Sequence, residues 1–572
     1  MDRLVAQVVN PAFPSNPCPD PAVDIADLDV LTTFVYDGLG RLIEQIDPMG
    51  RRTKMVYDGL GRPTQQVVNH TSTEANTRIT TQIDYRTFAQ PNGKVLELEI
   101  VTRDNPVRET RTLYDARRRP VHIINNPVDG STATDENVTT DMRYDMAGNV
   151  LWQRDPNGIV TNFQYDELNR RTVVDSLNAN GGTSATRFSY DGIGNIRYVT
   201  DPFGKITSLS YDRMHRQSQV SAMPASNALS LVTQTTYSKL GYPILETDPN
   251  NVTRMTGYDA LGRVTCMVEN YRRATCLPTD WNQFNDPSEN EWTFDVNVRT
   301  DFQYDGVGNL KQLSHPPELD PYGSQAVVLV PPVIRYGYDR LDRRTSVDGP
   351  LEIINDLWTT KYDKAGRITE RTTPDGVIIT STLDDLDRVT GYSYSDGVTP
   401  AVTFDYSTPN KLTVQDGLGA ASTFVFDRMD RLLSSIDQAG NTVQYSYALN
   451  GRLASMQYPG AAGSPHTVSY EYYPATNLLW TVTGQPSGTT TYFYDELNRP
   501  RQVHQPNGIR TQYEYDDLSR LEKIVYIRPG APNLPSVDEM LMEITYTLDG
   551  AGNRKTVHEK ILIPPPTSPA SV

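Results

Sequence analysis

Cysteine is nearly missing from this chain of 572 residues, and one class of scaffold goes with it. The three present, Cys18, Cys266 and Cys276, are too few for a disulfide framework. Cys266 and Cys276 flank the start of the longest insertion and bridge only in an oxidising compartment; two free thiols are the other reading. Basic charge is also short, with 53 Lys and Arg against 70 Asp and Glu and a net charge of −17. A phosphate-backbone binder needs a basic stripe, so no nucleic acid is expected as partner. Anionic membrane surfaces are disfavoured for the same reason. No apolar run approaches the length of a membrane span, so no insertion is expected. Residues 1–20 lack the charged start and apolar core of a signal peptide.

Catalytic patterns are equally sparse. The seven histidines (70, 122, 215, 315, 466, 504 and 558) stand singly, and none falls in HExxH or a zinc-type Cys/His spacing. Ser464-Pro465-His466 and Pro486-Ser487-Gly488 do not form the GxSxG of a nucleophile on a strand-to-helix turn. The acidic DPNG turns lack the ligand set that the six to eight oxygens around calcium require. No enzyme, metal or cofactor is expected. No apolar stripe of period 3.6 is found either.

What fills the chain is one phrase, plainest at Tyr36-Asp37-Gly38-Leu39-Gly40-Arg41. It returns as YDGLGR at 57–62, YDELNR at 165–170 and 494–499, and YDALGR at 258–263. Twenty versions are readable, from Tyr36 to Leu548, with a degenerate one near Tyr85. Steps of 21 residues recur, as in 36 to 57, 144 to 165 and 494 to 515. A phrase used so often is a building unit rather than an active site, and such a period points to an array. The structural repeat residues are Tyr36, Asp37, Gly40 and Arg41; Tyr57, Asp58, Gly61 and Arg62; and Tyr165, Asp166, Asn169 and Arg170. They continue with Tyr258, Asp259, Gly262 and Arg263, and with Tyr494, Asp495, Asn498 and Arg499.

Each position has a physical task. Asp in second place can accept backbone amides two residues on and close a turn. The fifth residue is Gly, Asn, Asp or His, the types that enter left-handed backbone at least cost. The apolar fourth residue (Leu39, Leu60, Leu168) is expected to plug the turn from beneath. About ten residues before many tyrosines lies a second turn, such as DPMG at 47–50, DPNG at 155–158 and QPNG at 505–508. Between the turns, Thr53, Met55 and Tyr57 share one face, as do Thr161, Phe163 and Tyr165, and this alternation is the strand signal. The unit is therefore strand, turn, strand, turn, and short turns force antiparallel neighbours. About 20 hairpins give roughly 40 strands, a ribbon on the order of 190 Å if laid flat at ~4.8 Å per strand. Open sheets of more than about ten strands curl or split, so the ribbon must wind. Tyrosine rings are expected to pack on the ring of the next rung with their hydroxyls toward water or a polar partner. Asp and Arg could also ladder between rungs.

Recurring YDxxGR with DPxG turns between resembles the RHS or YD-repeat family, over residues 31–555. That family includes bacterial Rhs polymorphic toxins, the BC component of Tc toxins and the teneurin shell. The resemblance implies an all-β array of about 20 antiparallel hairpins wound into a spiral, hollow β-shell or part of one. It also implies a non-catalytic role, encapsulating a toxin or effector polypeptide for delivery from a bacterium, secreted or at the cell surface. Other parts of a larger shell, or a secretion apparatus, are the further partners implied. The alternative, from the teneurin branch, is an adhesion module that binds cell-surface glycans or a protein.

Toxin members close with a self-cleaving aspartyl-protease core. Here the DPxG matches are ordinary inter-hairpin turns, so no protease residue is carried onto them. The chain is then a piece of a larger shell, an expressed portion of one, or a cargo-less relative. Residues 1–30 are expected to be irregular and 556–572 to form a proline-rich tail. The insertion at 264–303, with Trp281, Phe284 and Trp292, is expected to be an ordered flap.

Overall fold

The computed structural model describes residues 4–9, 30–73, 77–89, 95–104, 106–177, 181–223, 230–272, 298–315, 332–350, 355–460, 464–484, 488–516, 518–530, 539–549 and 552–561. These form 43 strands in one sheet, with no helix among the described residues. Consecutive strands pair antiparallel, as the turn chemistry requires. The all-β array of hairpins expected from the phrase is the fold that is found. Within the stretch expected to be irregular, Ala6–Val9 pairs with Val30–Tyr36, with Ala6 opposite Thr33. The flap residues Trp281, Phe284 and Trp292 and the thiols Cys18 and Cys276 lie outside the described residues; of the tail expected at 556–572, residues 556–561 belong to the strand Arg554–Ile561 and the rest lies outside them. Cys266 is buried in Val264–Glu269.

One hairpin shows how the phrase works. Val30–Tyr36 pairs with Leu42–Ile46, with Val35 opposite Glu44 but Tyr36 opposite Leu42, so the register slips by one residue just before the turn. The Gly40 amide donates to the Asp37 carbonyl at 3.0 Å, and Gly40 takes φ of 87°. This is a type I turn followed by a left-handed residue in a bulge, a connection whose twist matches the flanking strands. The same slip precedes Tyr57, Tyr165 and Tyr494. The left-handed fifth position is kept when the residue changes, at 61° for Asn169, 60° for Asp342 and 63° for His215.

Alternation holds along the strands. In Arg52–Tyr57, Thr53, Met55 and Tyr57 are half-buried while Lys54 and Val56 are exposed. Full burial is rare: the buried hydrophobic side chains among the described residues are Val67, Ile79, Val138, Cys266, Val268, Val525 and Tyr546. The sheet is a wall with partly covered faces, not the wrapping of a thick core.

The expectation for the fourth residue is overturned. Leu39 is 79% exposed and Leu60 81%, so neither plugs its turn. With the turn closed by Asp and its amides, the tip points outward and leaves nothing beneath for an apolar side chain to fill.

By contacts the chain forms two units. The first comprises Met1–Thr139, Arg263–Met267 and Arg299–Gln444; the second Thr140–Gly262, Val268–Val298 and Tyr445–Val572. Each holds an earlier and a later strip of the ribbon. Every strip has two margins, one of hexapeptide turns and one of inter-hairpin turns.

Candidate functional site

Two sets of contacts dominate the structure: a network that ties each hairpin to the next, and a seam where two strips meet within a unit. The network begins inside the turn. Asp37 Oδ1 accepts the amides of Leu39 and Arg41, both at 2.9 Å, and Oδ2 accepts Arg41 Nε at 2.7 Å. Asp58, Asp166 and Asp495 hold their turns in the same way through Arg62, Arg170 and Arg499. Asp259 accepts the Leu261 amide at 2.9 Å. The Arg41 amide, with its guanidinium and the Leu39 amide, holds the Asp37 carboxyl below its usual range. For Asp166 the Arg170 guanidinium is the leading cause.

The aspartate–arginine pairs described so far close their own turn and do not ladder between rungs. What crosses to the next rung is the remainder of the guanidinium. Arg41 lies over the ring of Tyr57 at 4.9 Å, and its Nη1 donates to the Asp58 carbonyl at 3.0 Å. The Tyr57 hydroxyl donates back to the Leu42 carbonyl at 2.8 Å. Arg170 covers Tyr190 at 4.6 Å, Arg263 covers Tyr304 at 4.7 Å and Arg499 covers Tyr515 at 4.3 Å. The Tyr165 hydroxyl donates to the Val150 carbonyl at 3.1 Å. Where the sixth residue of a phrase is arginine it reaches the tyrosine that opens the next, so these tyrosines pack under arginine rather than ring on ring. A contact of this kind contributes about 0.5–2 kcal/mol.

Two ring pairs depart from this where the sixth residue is not arginine. Tyr242 stands where arginine is usual and stacks on Tyr258 with centroids 4.9 Å apart. Tyr494 meets Tyr473 edge to face at 5.8 Å.

The seam joins the inter-hairpin margin of the earlier strip to the hexapeptide margin of the later one. In the first unit, Arg51 of the 47–50 turn pairs with Asp387 and donates to the Asp385 carbonyl at 3.0 Å. Asn69, only 4% exposed, donates to the carbonyls of Thr77 at 3.2 Å and Asp385 at 2.7 Å. Ser72 Oγ donates to Asp385 Oδ2 at 2.7 Å. Arg108 forks onto Asp430, and Asn126, 4% exposed, donates to the Asp135 carbonyl at 2.9 Å beside Met429. In the second unit, Asn157 donates to Asn477 Oδ1 at 2.8 Å while Asn477 donates to Asp155 Oδ2 at 2.9 Å. Lys205 Nζ donates to the Leu518 carbonyl at 3.0 Å, and Arg499 lies 5.3 Å from the Phe203 ring. Buried polar groups such as Asn69, Asn126, Asp384 and Asp427 gather at the seam of the first unit, each with hydrogen-bond partners.

The named repeat residues thus belong to the hairpin network, and Arg499 also reaches the seam. Pattern reading missed Asn69, Asn126, Arg108 and Lys205. Its available signal was acid in the fifth position at Asp387 and Asp430, with a cation just after the inter-hairpin turn at Arg51 and Arg108.

Among the described residues, no group of three or more His, Cys, Asp or Glu side chains is placed to hold a metal ion. An open depression lined by Thr490, Tyr492, Val503, Gln505, Pro506 and Asn507 offers a phenol and amides but no acid–base pair. No helix of the described residues is long and apolar enough to cross a membrane.

Comparison with known proteins follows the same lines. Residues 36–82, 144–183, 362–399 and 494–529 match the RHS Repeat family. The comparison with curated proteins gives no match. Among solved structures, the Tc holotoxin pore of Photorhabdus luminescens is similar at 13% identity and a TM-score of 0.51, over 93% of this chain and 29% of that one. The TcdB2-TccC3 crystal structure aligns over 94% of this chain and 38% of that one, at 11% identity and a TM-score of 0.39. This chain spans less than two fifths of the length of either. Its likeness to the holotoxin is one of fold, and its hexapeptides, their closed turns and the four matched stretches agree: the chain carries RHS repeats.

Proposed function

We propose that this chain is a stretch of the wall of a toxin-associated RHS shell, and that the wall isolates a toxic polypeptide carried C-terminally or by a partner. The observation that carries this reading is the seam. A ribbon whose later strip is bonded turn to turn onto its earlier strip leaves a continuous surface in place of two open edges, which is what a barrier needs. The work of the wall is physical: exclusion of proteases and of the producing cell's own targets, with stability spread over many repeats. Delivery from a bacterium, secreted or at the cell surface, belongs to the same proposal.

The adhesion alternative depends on tyrosines free to stack on sugars. Against it, the rings of Tyr57, Tyr190, Tyr304 and Tyr515 lie under arginines, and the Tyr57 and Tyr515 hydroxyls bond backbone carbonyls.

The test is a fusion of an unfolded, protease-sensitive reporter after Val572, digested alongside the free reporter. Much slower cleavage in the fusion is expected. Equal cleavage with the wall itself intact, together with retention on a glycan array, would overturn the proposal in favour of adhesion.

A further inference from the structure

The first unit's seam contains two kinds of ion pair. One kind closes a turn: Asp384 with Arg388 and Asp427 with Arg431, the carboxylate side chains only 8% and 3% exposed. The other kind crosses from strip to strip: Arg51 with Asp387, Arg108 with Asp430, and Arg428 with Glu136 at 3.0 Å. The Asp387 and Asp430 side chains are 53% and 67% exposed, and Asp387 also accepts Arg367 of its own strip at 3.0 Å. Position explains the contrast. The second residue of a phrase folds onto the amides of its own turn, whereas the fifth stands at the left-handed corner, open to solvent.

Salt acts on these two kinds unequally. Counterions reach an exposed pair and screen it, while a shielded pair is screened much less. The cross-strip pairs are therefore the salt-sensitive part of this unit and its turns the salt-resistant part. At low salt the attraction across the strips is strong enough to show at Asp430, whose carboxyl the Arg108 guanidinium holds below its usual range, with Arg103 adding to the pull. Buried Asn69 donates to the neutral Asp385 carbonyl and keeps its hold at any ionic strength.

The second unit's seam is built from other chemistry. Asn157 donates to Asn477, Asn477 donates to Asp155, and Lys205 donates to the Leu518 carbonyl, so each of these bonds has a neutral partner. The fifth residue shows the difference: acid at Asp387 and Asp430, amide at Asn477, and hydroxyl at Ser519 beside the Leu518 carbonyl.

We infer that the first unit's seam is an ionic latch: rising ionic strength loosens its two strips from each other while their hairpins, and the seam of the second unit, hold. The latch is a property of the joint and stands whether or not a cargo is carried.

Amide hydrogen exchange of the full chain is the test, read at the seam turns 385–388 and 428–431 of the first unit and 473–478 and 518–520 of the second. The Debye length is about 30 Å in about 0.01 M sodium chloride and about 3 Å in about 1 M. Three cross-strip pairs of ordinary surface strength should make the first unit's seam turns exchange about tenfold faster at the higher salt. The second unit's seam turns, and the strands Ala421–Phe426 and Leu432–Ile436, should not follow. Asp387→Asn with Asp430→Asn should speed exchange already at low salt and remove most of the salt response. Asparagine holds the same left-handed position at Asn169 and Asn498, at φ of 61° and 63°, so the turns of this variant stay folded. An equal salt response in both seams overturns the inference. So does no response in either, or a double variant that keeps the wild-type response.

Discussion

Arg41 and Tyr57 are bound across two hairpins: the guanidinium of the first lies 4.9 Å over the ring of the second. The same guanidinium closes its own turn through Asp37 at 2.7 Å. One side chain thus links the shape of a turn to the position of its neighbour, and its planar fork suits both tasks.

Replacing such an arginine should loosen one joint and spare the rest. Arg170→Lys keeps the charge but loses the flat face over Tyr190. We expect a cost of about 1 kcal/mol and faster amide exchange confined to the strands around Thr183–Tyr190. Exchange that rises evenly through the chain would contradict a joint-by-joint construction.

The seam of the first unit should be more sensitive than the turn tips. Asn69→Ala leaves the Thr77 and Asp385 carbonyls without this donor in a buried site, and also removes an asparagine from left-handed backbone at φ 52°. A loss of about 1–3 kcal/mol is expected in urea unfolding. Leu39→Ala, at a tip 79% exposed, should stay within about 0.5 kcal/mol. The reverse ranking would mean that the seam does not hold the strips together.

The stacked exception gives a backbone test. Gly262 has φ of 80°, and a Cβ there would overlap the Tyr242 hydroxyl. Gly262→Ala should cost more than about 1 kcal/mol, and adding Tyr242→Ala should relieve the steric part while leaving the backbone strain. A double variant as unstable as the sum of both singles would show that the ring is not what the methyl meets.

Stability should fail on both sides of neutrality, for opposite reasons. The carboxyls of Asp37, Asp58, Asp166 and Asp212 are held below their usual range, by the following arginine's amide at Asp37 and Asp58 and by its guanidinium at Asp166 and Asp212. Their contribution is full above the unfolded value of about 3.9 and is lost as pH falls through the depressed folded values. Burial pushes the phenols of Tyr406, Tyr494 and Tyr515 upward. That contribution is full below about 10 and is lost as pH rises through the raised values. A melting-temperature profile should be flat between these limits and fall outside them; a steep slope near pH 7 would point to histidine instead.

Much of the fold was legible because each unit is local. A strand, an Asp-closed turn and a left-handed residue are all written within about ten residues, and the repetition multiplied the signal. The partner of Arg41 was not legible, since reading Tyr57 as its cover requires the bulge that sets the phase between hairpins. The seam was hidden for a deeper reason. Asn69 and Asp385 are 316 residues apart, and which turns meet depends on the twist and curl accumulated over every strand between them. The exposed Leu39 and Leu60 were misjudged because an apolar residue at a fixed position reads as buried until the turn's direction is known.

The two charge pairs of the first unit span 336 residues at Arg51–Asp387 and 322 at Arg108–Asp430, with whole hairpins in between. Losing one hairpin from that interval would advance the later strip by a full step, setting Arg51 near the next phrase along. Gaining one would set it back to the phrase at 362–367, whose fifth residue is Gly366 and offers no carboxylate. Loop insertions leave the count of hairpins unchanged and pass unnoticed by the seam. Such a ribbon can vary freely in the length of its loops, yet adding or dropping a repeat in that interval moves Arg51 and Arg108 off the carboxylates they now meet.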